Sequence, residues 1–210
     1  MGQQMGRMPE TWNDLIEERD RVLHWSGEIL AKVDDNVQNE DTFLMNYSDD
    51  KLNAKIKQWL DAGTTLINVV WVKRPSAAAD CKKMIKEKVE KLHKEMSEKI
   101  RKEYEAAYAD IKKFTKRVDK FGEEERKIHE EIQNVERECA GDVGKFVKKF
   151  GPLRVKVFKN LEIGEKFMFE DKRLKDSFVK KVYDIDVKIK GEFAKKFEKL
   201  VKEAEKCISK

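Results

Sequence analysis

From Ile85 to Cys139 the chain repeats apolar residues in steps of three and four: Ile85, Val89, Leu92, Met96, Ile100, Tyr104, Ala107, Ile111, Phe114, Val118, Phe121, Ile128, Ile132, Val135 and Cys139. Steps of this kind average about 3.5 residues, the repeat of a helix that keeps one face against a partner along its length. Glu125 is the one rung that breaks the apolar sequence. Steps of four from Leu92 to Tyr104 shift the heptad phase and predict a local relaxation of any supercoil. Gly122 and the acidic run 123–125 predict a bend, a frayed contact or a change of layer.

Two helices are predicted before this ladder. The first runs from about Pro9 to Val37, with Trp12, Leu15, Ile16, Val22, Leu23, Leu30 and Val33 on one face. A loop is expected over 36–50, held by Phe43, Leu44, Met45 and Tyr47, with Ser48 or Asp49 capping the next helix. The second helix carries Leu52, Ile56, Trp59, Leu60, Leu66, Ile67 and Val70 and stops at Pro75; Ser76 then caps the ladder helix. Gly141, Gly144 and Gly151-Pro152 predict a reversal with a short helical piece inside it, and a last arm runs from Leu153 to Ile208.

The first two helices laid end to end, the ladder helix and the last arm have similar lengths. The expectation is therefore all-α: an elongated antiparallel helical bundle, with coiled-coil-like packing around one long central helix. Residues 8–210 are read as a single elongated helical domain. Residues 1–7, MGQQMGR, resemble the end of an expression-vector epitope leader and are set aside.

Composition fits this picture. Charged residues make up 41% of the chain and there are only 10 Gly and 3 Pro, the profile of long helices and coiled coils. The longest apolar run, 66–72, is interrupted by Asn68 and is too short to cross a bilayer. Three widely spaced cysteines, Cys81, Cys139 and Cys207, argue against a secreted disulfide framework; they read as small buried or half-buried hydrophobes in a cytoplasmic protein.

Catalytic chemistry has little to stand on. Glycine-rich phosphate loops, nucleophile elbows and paired-cysteine zinc motifs are all missing from the sequence. Of the three histidines, His24 reads as half-buried, while His93 and His129 fall on the flank of the ladder helix. Glu125 and Gln133 lie four residues either side of His129, but a two-helix metal site needs a Glu-x-x-His pair on each helix, and Arg126 stands where His129 would need its Glu. Asp34-Asp35 and Asp49-Asp50 are explained by loop and cap chemistry. No catalytic, cofactor-binding or metal-ligating residue is assigned, and no cofactor is expected.

Charge is uneven along the chain. Residues 1–80 hold 9 basic and 14 acidic residues, 81–144 hold 17 and 16, and 145–210 hold 20 and 11. The basic arm either lies against acidic neighbours or faces phosphate-bearing surfaces. Its excess is almost wholly lysine, with only Arg154 and Arg173, which suits an anionic membrane better than nucleic acid. The leading expectation is a non-enzymatic structural or protein-interaction module that binds a protein partner or itself.

Three antiparallel arms in a lysine-rich chain of this length resemble the layout of the crescent-shaped BAR superfamily. That resemblance implies a dimer binding curved anionic membranes. A third reading is a helical lipid carrier, motivated by Val179, Tyr183 and Val187 beside the main stripe of the last arm.

Overall fold

The computed structural model describes residues 11–73 and 79–208. The protein is an all-α helical bundle, and the described residues form four helices: α1 (Trp12–Met45), α2 (Asp49–Lys73), α3 (Ala79–Cys139) and α4 (Val143–Ile208). The predicted Pro75 stop, the Ser76 cap and the leader at 1–7 lie outside the described residues. Two compact units form: one takes in residues up to Thr42 with Ile111–Leu174, and the other takes in Phe43–Asp110 with the stretch from Lys175 onward.

In the first unit α1 covers the second half of the ladder. Its core holds Leu15, Val22, Ile29 and Val33 from α1, Phe114 to Cys139 from α3, and Phe146, Phe150, Leu153 and Val157 from α4. Thr11 opens α1: its Oγ1 accepts the amide of Asp14 at 3.2 Å, filling one of the orphan donors of the first turn.

Three polar residues share the buried stripe of α1, and each has a partner across the core. Glu18 accepts from Arg154 Nε at 2.7 Å, and Arg154 also lies over the ring of Phe158. Ser26 donates to Glu125 at 2.5 Å. Thr115 donates to Glu40.

The second unit packs α2, the first half of the ladder and the end of α4. Here α3 and α4 run antiparallel in one fixed register. Ion pairs join Lys88 to Glu203, Lys99 to Glu192, Lys188 to Glu103, Lys196 to Glu95 and Lys181 to Asp110, and every advance along α3 is matched by an equal retreat along α4. The same register brings Cys81, near the start of α3, to Cys207, near the end of α4, where they form a disulfide. The expectation of three separate buried thiols is corrected for this pair; Cys139 is free and buried on the ladder.

Several element boundaries differ from the sequence expectation. α1 does not end at Val37 but continues to Met45, because the residues expected to form a loop find helical uses. Glu40 is buried beside Thr115, and Thr42 Oγ1 returns a hydrogen bond to the carbonyl of Gln38 at 3.0 Å. The connection shrinks to a turn over 46–48, closed by Tyr47 N on Leu44 O at 2.8 Å. The expected reversal at Gly151-Pro152 is also absent: α4 runs through both.

Pro152 removes one helical hydrogen bond, but Gly151 before it carries no Cβ to meet the proline ring, and Phe146, Phe150 and Val157 are fully buried around it. The chain turns once here, at Ala140 (φ 48°) and Gly141 (φ 86°), and Asp142 caps α4 by accepting the amide of Lys145 at 2.9 Å.

Glycine marks close packing in each unit. At Gly122 a Cβ would stand 2.8 Å from Val33 Cγ1, so the expected irregularity in α3 is a place where α1 packs closely, and the helix is unbroken there. At Gly63 a Cβ would lie 2.5 Å from the ring of Phe197, a side chain only 1% exposed. Because the ring is attached near the point of collision, it cannot swing aside cheaply. Gly63→Ala is expected to cost about 1–3 kcal/mol in urea denaturation. Combined with Phe197→Leu the cost should fall below the sum of the two single changes; strict additivity would show that the ring and Gly63 do not share this space.

Candidate functional site

Within the second unit, the end of α1, the turn and the start of α2 face the middle of α3 and α4 across a cleft of about 290 Å3. Its walls are Leu44, Tyr47, Leu52, Tyr104, Tyr108 and Phe178, and its charged residues are Asp49, Arg101 and Glu105. Phe178 is the hub. Tyr47, Phe43 and Tyr108 approach its ring with centroids at 4.8, 5.7 and 6.1 Å, all edge-on, as aromatic quadrupoles prefer.

One wall residue, Tyr104, belongs to a hydrogen-bonded triad drawn from three helices. Tyr104 donates to Asp186 Oδ1 at 2.7 Å, Lys55 donates to the Tyr104 oxygen at 3.1 Å, and Lys55 also pairs with Asp186. Burial pushes the Tyr104 phenol well above its ordinary value of 10.0, and the hydrogen bond and charge of Asp186 push it further. Tyr47 is raised as well, by burial first and then by the charge of Asp186. Both phenols are therefore held in the neutral form. Tyr104 acts as a donor and wall, not as a group that gives up its proton near neutral pH.

Arg101 is tethered at the rim, donating to Asn53 at 2.7 Å. Cations already rest on aromatic faces nearby. Lys55 Nζ is 5.7 Å from the centre of the Tyr104 ring, and Lys175 Nζ is 5.7 Å from that of Phe43.

The residues weighed from sequence go elsewhere. His24 is exposed beside Glu28 at 3.3 Å, not half-buried, because it falls between the buried positions Val22 and Ser26 on the solvent side of α1. His93 is half-buried over a shallow hollow with Ile56 and Leu60. His129 is half-buried with its Nδ1 enclosed and without a hydrogen-bond partner, while Gln133 is exposed.

Glu125 does not serve His129. It is fully buried and takes donors from Ser26 on one side and Asn160 Nδ2, at 2.5 Å, on the other. Asp34 pairs with Arg126 at 3.1 Å within α1 and α3, and Asp49 lines the aromatic cleft. Among the described residues no group of three His, Cys, Asp or Glu is gathered as metal ligands. Nor is any described helix long and apolar enough to cross a membrane.

No family model, curated protein or solved structure matches this chain.

Two measurements check the polar clusters. Ser26→Ala leaves one oxygen of a buried carboxylate without its donor and should cost about 1–3 kcal/mol by urea denaturation. Glu125→Gln turns an amide toward the Asn160 amide, and adding Asn160→Asp should recover part of that loss; no recovery would mean the two groups are not paired.

For Tyr104 the sign follows from its raised value. The proton is held more tightly in the folded chain, so its contribution to stability is complete below pH 10.0 and is lost as pH rises beyond it. Tyr104→Phe should flatten the alkaline decline of stability and remove the last-titrating component of tyrosinate absorbance. An unchanged titration would contradict the triad.

Proposed function

We propose that the protein is a non-enzymatic protein-interaction module whose aromatic cleft receives an anchoring side chain from a partner protein. The observation that carries this reading is the make-up of the cleft: three tyrosines, a phenylalanine and an arginine around an open slot. Tyrosine and arginine dominate the few residues that supply most binding energy at protein interfaces.

The chemistry favours a basic or apolar anchor. The carboxylates of Asp49 and Glu105 outnumber Arg101, which is held by Asn53, and the neighbouring rings already accommodate lysines. Neutral tyrosines present π faces to a cation without competing for its proton. Acid–base catalysis has no support in the triad, since Tyr104 is pushed away from neutral pH and its partners are engaged with each other.

The basic arm gives less support to a membrane reading than its charge alone. Lys181, Lys188 and Lys196 are paired with acids of α3, and Arg154 is buried against Glu18.

A peptide display library panned on the intact chain tests the reading. Enriched peptides should converge on a basic or apolar anchor, and their affinity should fall at least about tenfold in Tyr108→Ala, with helicity unchanged. Failure to converge, or binding indifferent to Tyr108→Ala, would remove the proposal.

A further inference from the structure

On α4 a second apolar feature lies outside both the core and the cleft. Val179, Tyr183 and Val187 are 45%, 67% and 55% exposed, although they sit beside the buried residues Phe178, Val182 and Ile185. Steps of four place them in one row on the helix surface.

The row is symmetric about its centre. Val179 and Val187 stand four residues either side of Tyr183, and Asp176 and Lys190 stand seven residues either side. Both charged residues are exposed, and among the described residues neither has an ion-pair partner. Seven residues is two helical turns, so all five positions share one face. Apolar residues thus mirror apolar residues, and a carboxylate mirrors an ammonium.

We propose that this face of α4 is an isologous, antiparallel interface with a second copy of the chain, with Tyr183 on the two-fold axis. Rotation about that axis sets Tyr183 against its own copy, each Val179 against Val187 and each Asp176 against Lys190. Every contact off the axis is made twice, which is what a two-fold interface demands. A foreign partner would have no need of the mirrored charge.

The contact is a single helix face, below the size of a standard interface, and the association is accordingly weak and reversible. Apolar burial and tyrosine stacking supply the attraction, while the two rim ion pairs fix the antiparallel register. The proposal deepens the interaction-module reading, but it uses different residues from the cleft, so the two fail independently.

Sedimentation equilibrium of the full chain, over micromolar to near-millimolar concentration, gives the test. A monomer–dimer equilibrium is expected. Asp176→Lys, which sets like charges opposite each other at both ends, should raise the dissociation constant about tenfold or more, and Asp176→Lys with Lys190→Asp should return it close to the original value. Tyr183→Cys should form a symmetric intermolecular disulfide under mild oxidation.

All these positions are exposed, so the fold is expected to survive, and circular dichroism would verify it. A chain that stays monomeric throughout would overturn the proposal. So would a dimer indifferent to the charge reversal, or a face that binds anionic phosphatidylserine vesicles in place of its own copy.

Discussion

A carboxylate enclosed among three packed helices must find donors on both neighbours at once, and Glu125 finds them in Ser26 of α1 and Asn160 of α4. Apolar contacts alone tolerate a helix sliding by a turn, since one branched side chain substitutes well for another. A buried carboxylate does not, because a slip leaves it desolvated and unpaired at a cost of several kcal/mol. Glu18 with Arg154 and Glu40 with Thr115 repeat the requirement elsewhere along α1. The first unit is thereby pinned at three levels, each of which α1 must meet.

The second unit reaches the same end with weaker tools. Its α3–α4 ion pairs are partly exposed, and each is worth under about 1 kcal/mol. Their value is directional: five pairs in one antiparallel register are all lost together when either helix shifts. The disulfide between Cys81 and Cys207 closes that register near its end and removes freedom from the unfolded chain. Core rings then pack to a tolerance set by backbone, as the Phe197 ring over Gly63 shows.

Sequence pattern carried the fold where residues speak for themselves. The ladder from Ile85 to Cys139 lies within a single helix with nearly all its apolar rungs buried, because the steps of three and four resume on the same face after the phase shift at 92–104 and after Glu125. It failed where a residue's role depends on a partner far along the chain. Asparagine, aspartate and threonine after Val37 have the composition of a loop, and Glu40 is buried there beside Thr115, which lies far along the chain on α3. Gly151-Pro152 reads as a helix stop until the phenylalanines around it are seen to be buried. The cleft was hidden for the same reason: Tyr104 counted as an apolar rung, and no spacing links it to Lys55 or Asp186. Tyr108, one turn after Tyr104, was the available signal.

Why the cleft lies where it does follows from the layer that covers the ladder. Two helices packed side by side close the space between them with interdigitated side chains, leaving no slot deep enough for a foreign group. A slot opens where the covering layer is interrupted. That interruption is the turn over 46–48, and Leu44, Tyr47, Asp49 and Leu52 stand around it as cleft walls. Large rigid rings bridge such a gap better than flexible aliphatic chains, since they reach across it at little cost in rotamer freedom. Extending α1 to Met45 shortened the break to a tight turn. A longer loop over 36–50 would have folded back on its own apolar residues; the short turn leaves the rings of Tyr47, Tyr104 and Tyr108 lining an open space.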